Sequence, residues 1–194
     1  MRHLALLATA LLAASSAHAQ TGPGPGPACL APVTAADGPV AIRDAKFLVY
    51  ETSVPGAGPQ SRQTIVQLQA CAALAGTATA YVLSYRPVLF SADGHLLQGG
   101  NLVNGLKILA DDPKGGPAHI VISDGFSIGY TIDHTKLARS IVITALTAGP
   151  CTATAGGACA ALPPDTPVRT ITVPVCLADG TVPPPAECPA AAAK

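Results

Sequence analysis

Three histidines beyond the first nineteen residues, His95, His119 and His134, stand within reach of aspartates that could orient them, among them Asp93, Asp124 and Asp133. A histidine held by a carboxylate is the minimum for general acid–base work, and three or four such side chains converging make a metal site. The local spacing does not bring them together. His119 falls on an apolar face, where a neutral, hydrogen-bonded histidine is the simpler reading. His95 follows the turn Asp93-Gly94 and is expected in solvent, and His134 adjoins Asp133, whose side chain on a strand points to the opposite face. The segment DDPKGG puts Asp111 and Asp112 beside glycines without the ligand spacing of an EF-hand, so it reads as a polar turn. There is no G-x-S-x-G nucleophile elbow. The GPGPGP tract has glycines, but its prolines remove the N–H donors that a phosphate cradle uses. No catalytic, cofactor-binding or metal-ligating residue is assigned on these grounds, and no cofactor is expected.

The six cysteines carry a different chemistry. Cys29, Cys71, Cys151, Cys159, Cys176 and Cys188 include no C-x-x-C pair and no histidine at zinc-ligand spacing. An even number in an exported chain implies disulfides, although sequence alone does not give the connectivity. Proximity suggests Cys151 with Cys159, around TATAGGA, and Cys176 with Cys188, around LADGTVPPPAE. Cys29 is then left for Cys71.

Export is itself a reading of residues 1–19, MRHLALLATALLAASSAHA. Arg2 supplies the positive start, Leu4 to Ala14 an apolar run too short to cross a bilayer, and Ala17 and Ala19 the small residues a signal peptidase recognises. A Gly/Pro-rich linker over 20–28 follows, then a single domain over 29–188 and a disordered tail over 189–194. The protein is expected in the periplasm or outside the cell. Eleven basic residues balance eleven acidic ones, which gives no electrostatic footprint for nucleic acid or for anionic membrane surfaces. Charged residues are only 11% of the chain, and Gln63 to Tyr85 and Ser140 to Pro164 contain none. Such a chain is kept soluble by Thr, Ser and Gln, or it packs against copies of itself or a partner.

The elements that must position these residues are short strands. The runs VAIRDAKFLVYE, TIVQLQAC, ATAYVLSYRPVLF, LVNGLKILA, AHIVIS, FSIGYTID, RSIVITALT and VRTITVPV are separated by Gly, Pro and Asp turns. They predict an all-β domain, an antiparallel β-sandwich (Ig-like or similar, of roughly 7–9 strands) with disulfide-stapled loops and a C-terminal hairpin around Asp179-Gly180. One helical turn over Thr135 to Ala138, capped by Asp133, is the exception. A hairpin across Asp124-Gly125 is the sharpest local expectation. Its two-residue turn sets Ser123 opposite Phe126 and His119 opposite Tyr130, which places His119 on the apolar face.

Function follows from what these features favour. A stapled, low-charge, exported β domain without a catalytic constellation fits a non-catalytic structural or interaction role, with an exposed sheet edge as the binding element. The partner is then a protein or a second copy of the chain. An exported hydrolase or metal-dependent enzyme using the histidines and aspartates is the alternative, recognisable by a concave site lined by two histidines and a carboxylate. A pilus-like module is compatible with the Cys29 to Cys71 spacing. The Gly-Pro start, without the alternating apolar residues of a donor strand, and the cysteines of the tail depart from that pattern. A polysaccharide-binding module is disfavoured by the absence of Trp.

Overall fold

The computed structural model describes residues 32–53 and 62–177. The expected signal segment, the Gly/Pro linker, the tail, the hairpin around Asp179-Gly180 and the cysteines at 29 and 188 lie outside these residues.

Eight strands dominate the described chain: β1 (Val40–Ser53), β2 (Arg62–Leu74), β3 (Ala80–Phe90), β4 (Leu96–Gly99), β5 (Val103–Leu109), β6 (Ala118–Ile128), β7 (Ser140–Pro150) and β8 (Arg169–Leu177). They form one sheet in the order β4-β3-β7-β8-β1-β2-β6, with β5 also paired to β3. The pairs are antiparallel except β1 with β8, which run parallel over Ala45 to Phe47 and Val175 to Leu177. The all-β prediction holds in this coarse form. The two packed antiparallel sheets are replaced by a single mixed sheet curled into a half-barrel.

The curl has a local cause. Four strands carry an extra residue against a neighbour: β1 between Arg43 and Lys46, β7 between Ile143 and Leu146, β5 where Asn104 and Gly105 oppose Ser84, and β4 at Leu97. The first three irregularities each contain a residue with positive φ, namely Asp44 (50°), Ala145 (51°) and Gly105 (70°). A bulge bends its strand and raises the local twist, so the sheet rolls instead of splitting into two layers. The roll brings β6 back towards β4 and β5.

The bulges also decide which side chains enter the core. Along β2 the even positions Thr64, Val66, Leu68, Ala70 and Ala72 are buried, while Gln63, Ile65, Gln67 and Gln69 are less so. On β1 both Ile42 and Phe47 are buried although their numbers differ in parity, because the extra residue at Asp44 resets the alternation. The same happens on β7, where Ile141 and Ile143 precede the bulge and Leu146 and Ala148 follow it. On the convex side, the Gln67 amide donates to Ser123 Oγ (3.0 Å) and Ser127 Oγ donates to Gln63 (2.7 Å). That face is held by neutral polar pairs.

Candidate functional site

β6 is the element on which most of the candidate chemistry falls. It pairs with β2 without interruption from Leu74↔Ala118 to Thr64↔Ile128. The hairpin expected across Asp124-Gly125 is therefore absent, and Asp124 and Gly125 sit inside one continuous strand opposite Leu68 and Gln67. The turn preference of Asp-Gly is outweighed by a ladder with β2 that a hairpin would halve. The predicted facing is corrected as well. Ala118, Ile122, Phe126 and Ile128 are buried on the concave side, so His119 belongs to the convex set, and Tyr130 lies beyond the strand, 56% exposed.

Asp124 points inward, between Phe126 and Ile122 on its own strand. Its Oδ2 is enclosed with no hydrogen-bond partner. Burial raises the carboxyl above the ordinary carboxylate range, partly offset by hydrogen bonding with the Tyr85 side chain. Tyr85, 3% exposed on β3, is in turn pushed well up, first by burial and then by the neighbouring negative charge of Asp124. The two groups belong to opposite walls of the half-barrel. Sequence reasoning makes Asp124 a turn residue and so misses this buried pair; an Asp in phase with Ile122 and Phe126 is the available signal.

His119 has a carboxylate partner. Its backbone N–H donates to Asp111 Oδ1 at 3.1 Å, and its ring Nδ1 lies 2.5 Å from Asp111 Oδ2. A carboxylate only accepts, which puts a proton on Nδ1. The ring is 8% exposed and Asp111 47%. Asp111 lies just beyond β5, and its own N–H donates to Pro117 O at 3.0 Å. The pair thus fastens both ends of the connection between β5 and β6. Replacing Asp111 by Asn is expected to lower stability by about 1 kcal/mol, the scale of a partly solvated charge-assisted bond. Thermal unfolding checks it, and an unchanged midpoint removes the fastening role.

The other candidates fall on two adjoining segments. His95 Nε2 is 3.5 Å from Asp93 Oδ2, with both side chains largely exposed. Asp93 is held below its ordinary range, chiefly by hydrogen bonding from Ser91. Asp133 caps a 3₁₀ turn over His134–Lys136 by accepting from Thr135 N–H, which agrees with the predicted turn and its cap. These segments meet, since Ala92 N–H donates to Lys136 O and Ser91 bridges to Leu137. Even so, no group of three or more His, Cys, Asp and Glu side chains among the described residues could hold a metal ion.

Cys151 and Cys159 form a disulfide with Cα atoms 5.1 Å apart. Cys71 and Cys176 are also disulfide-bonded, and the pairings expected for them with Cys29 and Cys188 lie outside the described residues. No helix of the described residues is long and apolar enough to cross a membrane.

What remains is the rim of the half-barrel. β6 ends the sheet, so one side of its eleven residues has no strand partner among the described residues. Its convex face carries His119, Val121, Ser123, Gly125 and Ser127, with no Lys, Arg, Asp or Glu among them. Val121 there is 42% exposed, and across the opening Leu96, Leu102 and Leu109 are 63%, 43% and 68% exposed. No family model, curated protein or solved structure matches the chain.

Proposed function

We propose that this chain is an exported, non-catalytic interaction domain that takes an extended polypeptide segment onto the free edge of β6. The observation that carries the reading is the composition of that edge. Proteins blunt long edge strands with charged side chains, proline or cover, whereas β6 presents eleven residues whose only carboxylate, Asp124, is turned into the core. An added strand satisfies the main-chain groups on that edge, and its alternate side chains on the convex face lie beside Val121, 42% exposed. The Cys151–Cys159 disulfide supports an oxidising compartment, in line with the export signal read in residues 1–19.

The test is photo-crosslinking from a reactive residue placed at Ser123 in the cell that makes the protein. Crosslinks to a strand-forming segment are expected. Val121→Lys is expected to abolish them while changing stability by no more than about 0.5 kcal/mol, as for an ordinary surface substitution. Crosslinks that survive Val121→Lys, or a chain that stays uncrosslinked with β6 amides exchanging freely, overturn the reading.

A further inference from the structure

On the other side of the opening, β5 carries the pair Asn104-Gly105 at its bulge. Asn104 and Gly105 together face the single residue Ser84 of β3. Gly105 adopts φ +70°, a conformation that a side chain would strain, and a Cβ built on it meets open space. Ser84 is 8% exposed, while Asn104 is exposed. The Ser84 hydroxyl makes two contacts that matter together. It donates to Asn104 Oδ1 at 3.1 Å and accepts from Gly105 N–H at 3.0 Å. One oxygen therefore holds both the side-chain carbonyl of an asparagine and the backbone nitrogen of the glycine that follows it.

Those two groups are the electrophile and the nucleophile of succinimide formation. We infer that Asn104-Gly105 is a self-modification site, at which Ser84 relays the proton that makes Gly105 N nucleophilic towards the Asn104 amide. Gly105 N bonds to Asn104 Cγ as its proton passes to Ser84 Oγ and the serine proton passes to Oδ1. A proton returned to Nδ2 through the same hydroxyl lets the Cγ–Nδ2 bond break, and ammonia leaves. Water then opens the ring at either carbonyl. The net change is asparagine plus water to aspartate or isoaspartate plus ammonia. A hydroxyl already bonded to both partners supplies the acid and the base in one group, and the absence of a Cβ at 105 leaves the approach unobstructed.

The product bears on the fold. Isoaspartate adds a carbon to the main chain of β5 at its bulge, where pairing with β3 resumes only at Val103 on one side and Leu106 on the other. Asn101, followed by the bulkier Leu102, is the internal control for the chemistry.

The experiment incubates the folded protein at mildly alkaline pH and follows residue 104 by peptide mass spectrometry with isoaspartate detection. A synthetic peptide spanning Leu102 to Lys107 and the Ser84→Ala protein run alongside. Expected are conversion at Asn104 but not at Asn101, faster in the folded protein than in the peptide, and slowed on the order of tenfold by Ser84→Ala. Ser84→Thr, which keeps a hydroxyl, is expected to retain the reactivity. If Ser84→Ala does not fold, the comparison of folded protein with peptide decides. An amide that persists at 104, conversion no faster in the folded protein than in the peptide, or a Ser84→Ala protein that converts as fast as the parent, overturns the inference.

Discussion

Replacing Asp124 by Asn is expected to stabilise the protein at neutral pH, by about 1 kcal/mol after allowance for the partial solvation of the site. The carboxyl lies inward beside Ile122 and Phe126 with Oδ2 lacking any hydrogen-bond partner, and burial raises it above its ordinary range. The sign follows from proton counting. Between the unfolded value near 3.8 and the raised folded value, the folded chain binds more protons than the unfolded one. Stability therefore falls as pH rises through that window, and the loss persists above it. A neutral amide escapes this loss and still accepts from Tyr85. Urea unfolding from acid to neutral pH checks the point: the advantage of Asp124→Asn is expected to shrink as the pH falls towards the unfolded value. A variant less stable than the parent at neutral pH sinks the argument, because it shows the carboxylate to be favourably paired.

β6 and its partner β2 show where sequence reading works on this chain and where it stops. Alternation places Val66 and Leu68 inside and the three glutamines Gln63, Gln67 and Gln69 outside, because period-two burial is a local property of a strand. Asp133 is legible as a cap for an equally local reason, since its side chain needs only the N–H two residues on. Asp124-Gly125 misleads because turn propensity is local, whereas the eleven-residue ladder with β2 that overrides it is not. The strand Leu96–Gly99 escapes notice because four residues carry too little pattern. The Asp111–His119 pair joins residues eight apart across a loop, a distance that neither helical nor strand periodicity addresses. Tyr85 and Asp124 meet only because the sheet rolls, and the roll depends on bulges at Asp44 and Ala145, residues with no glycine to announce a positive φ.

The bulge on β1 sets up the largest effect expected of a single substitution. Phe47 is fully buried and pairs across the sheet with Leu68, which pairs in turn with Asp124. These three side chains form one row from β1 through β2 to β6 on the concave face. Phe47→Ala removes the largest member of that row and is expected to cost about 3–5 kcal/mol, from lost burial together with the cavity left between strands that cannot collapse independently. Ile42→Ala is expected to cost about 2–5 kcal/mol, although an unbroken alternation along β1 would put residues 42 and 47 on opposite faces. Lys46→Ala, one residue before Phe47 and exposed, is expected to stay within about 0.5 kcal/mol. Chemical denaturation of the three variants separates the possibilities. Large losses at both 42 and 47 require the reset at Asp44 that rolls the sheet. A loss below about 1 kcal/mol at either position, outside the range of core truncations, would mean that β1 runs flat and that the half-barrel, with the free edge of β6 at its rim, is not the fold in solution.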